Sequence, residues 1–370
     1  MLETNDPIHI YGSRISYYTG KLEAYLRYRK LAYRLFPTVG NEKKLIAGAG
    51  VVQMPVVQLT DGRWMTDTTP MLAWLDKNQD GPSIYPQDPA LNFIALLIED
   101  YADEWLWRSA MHYRWTYRLD RQYASEILYT ELIAGTLPLP RPLALHMLKR
   151  RQLGGFVRGD GVTKTSRAHA DSTYLAALAS LEGLLARNPF LLGNAPTIAD
   201  FGMMAPMFRH FGQDPTPSEI MRNTAPNVFA WVARMWTLND TPSAPHYIAP
   251  SDPALLTFLT EICATHLAQL LQNADAYSAQ QARYDLHIQG VCYQKVPSSR
   301  YRVWCLEQLR AAYRACDAAA QAEIQSLLAP MPEASILWDE SAFTASDYDP
   351  EGHAPFNRAI NVFTGGAPKR

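Results

Sequence analysis

Two groups of polar residues near the start of the chain have the types and the spacing to bind and activate a small ligand. The first is the segment YGSRISYYTGK, which carries the hydroxyl groups of Tyr11, Ser16 and Tyr17. The second is Asp67-Thr68, which follows Pro55 along the chain. A hydroxyl group can donate a hydrogen bond to an anion, and the first N–H groups of a helix attract a carboxylate. These residues therefore predict a site for an anionic ligand near the N-terminus of a helix.

The elements that must position the first group are a strand and the helix that follows it. Ile8–Tyr11 has the composition of a short strand, and apolar residues recur at helical spacing over residues 17–29. Leu31–Phe36 is again strand-like, and residues 43–50 are predicted to be a polar, glycine-rich connection. The segment thus predicts a β-α-β unit.

The second group lies after a pair of strands joined by the turn dipeptide Asp61-Gly62. β-branched residues on both sides of that dipeptide favour a hairpin. A helix is predicted to begin near Thr68, with Pro70 in its first turn, where a missing N–H costs little.

The order β-α-β-loop-β-β-α, with QMPVV ahead of TDTTPMLAWL, resembles the thioredoxin-like N-terminal domain of glutathione transferases. The resemblance implies that the peptide bond before Pro55 is cis. It also implies that the Met54 backbone pairs with the cysteinyl part of glutathione, like a short added strand. Asp67 and Thr68 would hold the γ-glutamyl end. By themselves, Asp67 and Thr68 could equally be no more than a helix cap.

The hydroxyl groups around Ser16 are the candidates for activating the thiol of glutathione, whose free pKa is about 8.5. A hydrogen bond to the sulfur and a nearby helix N-terminus both lower that pKa. Ser16 matches the catalytic serine of serine-type transferases, Tyr11 matches the catalytic tyrosine of tyrosine-type ones, and Tyr17 is a third candidate. Ser16 could also be only an N-cap. The segment has no cysteine, which argues against the cysteine-type classes and their thiol–disulfide exchange.

A linker rich in glycine and proline over residues 80–89 leads into a helical region. Apolar residues recur at intervals of three and four from Leu91 to Tyr117, which predicts one long amphipathic helix. In the resembling family, the corresponding helix forms a wall of the cleft for the electrophile. The resemblance implies that four side chains make this wall: Trp107, Met111, Tyr113 and Trp115. Packing in the core or at a dimer interface is the alternative role for each of them.

A second mark of the family is the segment FLLGNAPTIADFGMMAPMF, in which Thr197 and Asp200 form a capping box. The box is expected to open a buried helix and to have a structural role. Between the two marks, residues 135–142 (GTLPLPRP) are predicted to be a loop over the cleft or a surface excursion. Residues 150–165 are rich in glycine and arginine and are predicted to be a mobile connection.

The C-terminal extension, residues 246–370, is not typical of the family. Helices are predicted over Leu255–Leu271 and Tyr301–Ala320, with a strand or hairpin over Tyr284–Tyr293 and a turn and N-cap over residues 297–300. The extension could be a packed layer, an altered dimer contact or a lid on the substrate cleft.

The predicted fold class joins three parts. Residues 1–80 form an α/β thioredoxin-like domain that binds glutathione, and residues 91–245 form an all-α glutathione-transferase C-terminal domain with a hydrophobic substrate cleft. Residues 246–370 form a mixed, mainly helical extension.

Composition and charge exclude several classes of function. The chain has 370 residues, of which 48% are hydrophobic and 19% charged, as is typical of a globular protein. Its 34 Lys and Arg residues nearly balance 36 Asp and Glu residues, so no field attracts nucleic acid or an anionic membrane. The four cysteines have no CxxC or Cys/His spacing, so no metal is expected. The cysteines are expected to be free thiols, and the sequence has neither a secretory signal nor an apolar run of membrane-spanning length. A cytoplasmic location is therefore expected.

The predicted function is that of a glutathione transferase, which binds glutathione and promotes thiolate attack on a small hydrophobic electrophile. The resemblance also implies a homodimer. One alternative is a glutathione-dependent isomerase, dehalogenase or ether-cleaving enzyme. Another is a non-catalytic interaction module of the same fold. The set Pro55, Asp67 and Thr68 favours the glutathione-dependent functions, because a vestigial site would be expected to lose it.

Overall fold

From residue 7 onward, the N-terminal part of the chain is a mixed sheet of four strands with three helices. The computed structural model describes residues 7–136, 138–239, 244–339 and 341–359. The strands are β1 (Ile8–Tyr11), β2 (Tyr33–Phe36), β3 (Val56–Gln58) and β4 (Trp64–Thr66). The helices are α1 (Tyr17–Tyr28), α2 (Glu42–Ala49) and α3 (Thr68–Lys77). The strand order is β2-β1-β3-β4, in which β1 is parallel to β2 and antiparallel to β3, and β4 is antiparallel to β3.

This arrangement confirms the predicted thioredoxin-like order, with one correction. The polar connection predicted over residues 43–50 is wrong, because α2 occupies most of it. Leu45 and Ala49, four residues apart, both turn their side chains into a small apolar cluster against the sheet. The helix ends at Gly50, whose φ of +83° is easily adopted only without a side chain.

The second part of the chain is helical. Its regular helices are α4 (Pro89–Glu104), α5 (Leu106–Thr116), α6 (Arg118–Leu128), α7 (Arg141–Gln152), α8 (Arg167–Leu185), α9 (Ile198–Arg209), α10 (Pro215–Thr224) and α11 (Pro226–Thr237). The single long helix predicted from Leu91 to Tyr117 is wrong, since it is interrupted at Trp105. The interruption places the buried Trp105 indole edge-on to the rings of His169 and Tyr293.

The region between α6 and α8 is mostly helical, so the mobile connection predicted over residues 150–165 is also wrong. It contains α7, two π-helical turns and a 3₁₀ turn: Tyr129–Ile133, Leu153–Val157 and Arg158–Asp160. Val157 is buried, Phe156 packs against the core, and Arg108 forms an ion pair with Asp160 at 3.0 Å. The described residues of the 135–142 segment are all exposed, which makes it a surface excursion.

The capping box is confirmed at the start of α9, where Asp200 receives hydrogen bonds from the backbone N–H and the hydroxyl of Thr197. The same carboxylate also accepts from the backbone N–H of Leu191 and the indole N–H of Trp231. Four donors on one buried carboxylate tie α9 to α11 and to the loop before α9. The role of the box is structural, as expected.

The described part of the extension contains four α-helices, a strand pair and a 3₁₀ helix, Pro332–Leu337. These are α12 (Pro253–Ile262), a π-helical turn (Cys263–Leu267), α13 (Ala268–Ser278), β5 (Arg283–Ile288), β6 (Val291–Pro297), α14 (Arg300–Ala315) and α15 (Ala318–Leu328). The strands pair antiparallel around Gln289-Gly290, both at positive φ, and confirm the predicted hairpin. Ser299 caps α14, as predicted. Helix α12 packs on α8, and α14 and α15 pack on α4.

One helical stretch of the described chain, Pro253–Ser278, is long and apolar enough by composition to cross a membrane. Its mean hydropathy is 1.4, so the expectation that no apolar run has such a length is corrected. In its apolar 18-residue window, 56% is buried inside the protein, as expected for a core helix. The boundaries predicted for the three parts, at residues 80, 91 and 246, stay a prediction.

The last described segment returns to the N-terminal sheet. The Thr66 N–H donates to the carbonyl of Pro355 at 3.0 Å, and the Ala359 N–H donates to the carbonyl of Ala49 at 3.1 Å. The ring of Phe356 lies edge-on to Trp74, with 5.1 Å between centroids. The extension thus contacts both preceding parts of the chain.

Candidate active site

A cavity of about 730 Å³ lies where the sheet, the helical part and the extension meet. This volume is within the range typical of small-molecule sites. Its walls are formed by residues of β1–α1, the loop before β3, the start of α3, helices α4, α5 and α7, and the extension. The cavity brings together most of the residues predicted for the site.

Met54, Pro55, Asp67 and Thr68 all line this cavity. The Met54–Pro55 peptide bond is cis, as the resemblance implies. Within the described chain, neither the N–H nor the carbonyl of Met54 has a hydrogen-bond partner. Exposed strand-like groups of this kind can pair with an extended peptide. Asp67 caps α3 by accepting from the Thr69 N–H at 3.3 Å. The same residue thus caps a helix and lines the cavity.

Ser16 lines the cavity and is the N-cap of α1. Its hydroxyl oxygen accepts a long hydrogen bond from the Thr19 N–H, at 3.5 Å. Among the described residues no acceptor takes the hydroxyl proton of Ser16. That proton is therefore available to a ligand atom, while the N–H groups at the start of α1 add positive potential around it.

Tyr17 lines the cavity, but its hydroxyl is engaged by another residue. The phenol is buried and donates to the carbonyl of Ala102 on α4. Burial, followed by the charge of Asp103, raises the pKa of Tyr17 well above its usual value. A neutral phenol that already donates its proton to a carbonyl is poorly placed to assist a thiolate.

Tyr11 does not line the cavity. Its ring lies in the small cluster around α2 and stacks on Trp64, with 5.7 Å between centroids. Lys44 donates to the Tyr11 hydroxyl at 2.6 Å. The alternation of side chains along β1 explains this placement, because Tyr11 faces away from Ile10 and the larger core. The structure therefore separates Tyr11 from the other two candidates.

Three of the four predicted wall residues line the cavity: Trp107, Met111 and Trp115. Trp107 stacks on Tyr18 with an interplanar angle of 18° and meets Phe156 edge-on. The fourth, Tyr113, is buried on another face of α5, against Tyr174. An α-helix rotates successive side chains by about 100°, so residues two positions apart cannot share one face.

Burial shifts the acid–base properties of the polar end of the cavity. It raises the pKa of Asp67 to about 6, against the opposing effect of the Tyr301 hydrogen bond. It raises the pKa of Glu104 to about 7, against the opposing charge of Arg302, whose Nε donates to Glu104 at 3.2 Å. Among the described residues, no group of three or more His, Cys, Asp or Glu side chains is placed to hold a metal ion.

Comparison with known families agrees with both parts of the fold. Residues 10–83 match a model of the glutathione S-transferase N-terminal domain, and residues 164–234 match a model of the glutathione S-transferase C-terminal domain. The chain carries both glutathione S-transferase domains. The first matched region holds Ser16, Pro55 and Asp67.

Solved structures with similar folds cover about two thirds of the chain. A glutathione S-transferase from Rhodospirillum rubrum F11 is 17% identical, with a TM-score of 0.42, over 66% of this chain and 97% of its own. A glutathione S-transferase from Methylobacterium radiotolerans, in complex with glutathione sulfonate, is 15% identical, with a TM-score of 0.38. The match covers 66% of this chain and 100% of that one. A beta-etherase from Sphingobium sp. strain SYK-6 is 17% identical, with a TM-score of 0.44. The match covers 69% of this chain and 99% of that one. Values this low say nothing about the chemistry of the site. No curated protein matches the chain in sequence.

Several cavity residues lie outside both glutathione S-transferase regions, and sequence reasoning did not select them. Two such groups lie between α6 and α8 and in the extension: Leu148, Arg151, Gln152 and Phe156, and Ser299, Tyr301, Arg302 and Tyr348. For the first group, the apolar spacing of Leu148, Leu153 and Phe156 was a usable signal. For Tyr301 and Tyr348 no local pattern indicates a site, because only the fold brings them to Asp67.

Proposed function

We propose that this protein binds glutathione and promotes attack of its thiolate on a small hydrophobic electrophile. The observation that carries the proposal is a single cavity that joins Ser16, Met54 and Asp67 to an aromatic wall. The two ends of this cavity differ in polarity, as a site for a polar cofactor and an apolar substrate requires.

The polar end offers a partner for each part of glutathione near the thiol. The unpaired N–H and carbonyl of Met54 would pair with the cysteinyl backbone. The N-terminus of α3 at Thr68 would take the γ-glutamyl carboxylate, and the carboxylate of Asp67 would take the γ-glutamyl ammonium. These contacts would place the sulfur toward Ser16.

Ser16 would then act on the sulfur. Its hydroxyl would donate to the thiolate, which together with the N-terminus of α1 would lower the thiol pKa. The thiol proton would pass to water, the sulfur would form a bond to the electrophilic carbon, and the leaving group would depart with the electrons of its bond. Trp107, Met111 and Trp115 would hold the apolar substrate beside the sulfur.

The test is binding of glutathione, measured by calorimetry and by retention on immobilised glutathione. At pH 7.5, above the pKa of about 6 that burial gives Asp67, its carboxylate is charged and the wild type is expected to bind. At pH 5 the carboxylate is largely protonated, so affinity should fall by roughly tenfold as one charged hydrogen bond is lost. Asp67→Asn should bind weakly at both pH values.

The exposed Asp275 on α13 provides a matched control, because Asp275→Asn makes the same chemical change away from the cavity. It should bind glutathione as the wild type does. No binding by the wild type at pH 7.5 would contradict the proposal and favour a non-catalytic member of the fold. Binding without any conjugation would instead favour glutathione as a cofactor for isomerisation, dehalogenation or ether cleavage.

Homodimerisation and a cytoplasmic location are parts of the same proposal. The four cysteines are all unpaired, which fits a reducing compartment. Since the extension already covers faces of α4 and α8, a second copy would have to pack on other surfaces.

A further inference from the structure

The extension reaches the carboxylate of Asp67 with two phenol groups. The Tyr301 hydroxyl donates to one oxygen of Asp67 at 3.0 Å, and the Tyr348 hydroxyl lies 3.5 Å from the other. These tyrosines are 234 and 281 positions away from Asp67 in the sequence. All three residues line the same cavity. The end of the site that holds Asp67 is therefore built partly from the extension.

The two phenols are held in place by their own surroundings. Tyr301 lies in the first turn of α14, and its ring meets Tyr348 edge-on with 5.1 Å between centroids. Trp304 packs against Tyr348 at 5.0 Å. Ser346 is fixed by Glu307, which accepts from its N–H at 2.8 Å and its hydroxyl at 2.6 Å. The hydroxyl groups are thus presented by packed elements.

The extension also holds the strand that ends just before Asp67. The carbonyl of Pro355 accepts from the N–H of Thr66, the residue just before Asp67. Asp67 itself has a φ of +69°, a backbone conformation that few non-glycine residues adopt. The contact at Thr66 and the cap of α3 by Asp67 therefore fix the backbone from which this carboxylate meets the two phenols.

The charge at this end of the cavity favours a cationic group. Asp103 is paired with Lys21 and Glu104 with Arg302, whereas Asp67 forms no ion pair among the described residues. Burial raises the pKa values of Tyr301 and Tyr348, so both phenols stay neutral. A phenol that donates its proton to Asp67 keeps oxygen lone pairs that can accept from N–H groups. One carboxylate and two phenol oxygens match the three donors of a primary ammonium.

We propose that Tyr301 and Tyr348 complete, with Asp67, a subsite for the primary ammonium group of the thiol cofactor. The extension is then part of the binding site and makes it selective for a cofactor with a free α-amino group. This inference rests on the proposed function, because it assigns the ammonium of the glutathione expected there.

The experiment compares two ligands, glutathione and the analogue that lacks only its α-amino group. Dissociation constants are measured by calorimetry for the wild type, Tyr301→Phe and Tyr348→Phe. Phenylalanine keeps the ring contacts and removes only the hydroxyl. Each substitution should raise the dissociation constant for glutathione roughly threefold to tenfold, the range for the loss of one hydrogen bond. It should leave the affinity for the deaminated analogue unchanged. Tyr277→Phe on α13 is the matched control and should change neither constant.

The outcomes separate this subsite from the proposed function. Equal weakening of both ligands, or no effect of either substitution, would overturn the subsite while glutathione binding stands. Tighter binding of glutathione by Tyr301→Phe would also overturn it, since the phenol would then be an obstruction. Wild type that binds neither ligand would overturn both proposals. The conjugation rate with chlorodinitrobenzene, measured in parallel, reports on the catalytic proposal alone.

Discussion

The hydroxyl groups near Ser16 show how much the direction of a side chain matters. Tyr11, Ser16 and Tyr17 lie within seven positions of one another, and their residue types do not choose among them. In the fold, Lys44 holds the phenol of Tyr11 on the other side of the sheet, and Tyr17 donates to the carbonyl of Ala102. Ser16 is the candidate that lines the cavity with an unused proton. We therefore expect Ser16 to assist the thiolate.

Replacing Ser16 tests this role. Ser16→Ala removes the hydrogen bond to the thiolate, so a rise of one to two units in the thiol pKa should lower kcat/KM for conjugation about tenfold to a hundredfold near pH 6.5. The rate is measured with chlorodinitrobenzene as a function of pH. The same substitution removes the cap of α1 and should cost about 1 kcal/mol in the free energy of unfolding.

Two further variants separate chemistry from stability. Ser16→Thr keeps both a hydroxyl and a cap, so it should retain most of the activity. Ser172→Ala changes an exposed serine on α8 and should leave the pH profile unchanged. A wild-type pH profile in Ser16→Ala would remove Ser16 from the mechanism.

At the scale of elements, the helices between α5 and α8 form one wall of the cavity. Helix α7 and the π-helical turn Leu153–Val157 place Leu148 and Phe156 opposite the aromatic face of α5. The Phe156 ring meets Trp107 edge-on, with 5.8 Å between centroids. This wall packs against Trp107, which belongs to the aromatic end of the cavity. We therefore expect it to affect the electrophile and not the thiol cofactor.

Phe156→Ala should raise the KM for an aromatic electrophile about fivefold, because it removes an aromatic contact and buried apolar area. The dissociation constant for glutathione should stay unchanged. Steady-state kinetics and calorimetry measure the two quantities. Phe229→Ala on α11, where the side chain is 43% exposed, is the matched control. An equal loss of glutathione affinity would show that the segment supports the whole site.

For the whole molecule, the extension shares one hydrophobic core with the two parts before it. A contiguous cluster of buried side chains includes Leu72 of α3, Phe93 of α4, Leu259 of α12 and Leu306 of α14. Phe93 also meets Tyr313 of α14 edge-on. Because the same core crosses all three parts, we expect none of them to unfold independently.

Calorimetric unfolding of the full chain should therefore give one transition, with equal calorimetric and van't Hoff enthalpies. A chain truncated after Pro250 would expose apolar faces of α4 and α8 and should aggregate or lose its near-UV circular dichroism. Two resolved transitions in the full chain, or a truncated chain with a native spectrum, would contradict this expectation.

The cis bond before Pro55 was expected from the family resemblance of the QMPVV segment. The sequence by itself determined the order of the strands in the first eighty residues, their first and last helices and the capping box at Thr197. These features depend on short segments whose spacing, turn residues and caps act locally. The tertiary structure alone decided that Ser16 has a free hydroxyl proton at the cavity and that Tyr113 of α5 does not line it. It also decided that Tyr301 and Tyr348 meet Asp67. Such contacts join residues that are distant in the chain, so they depend on how whole elements pack and leave no local pattern.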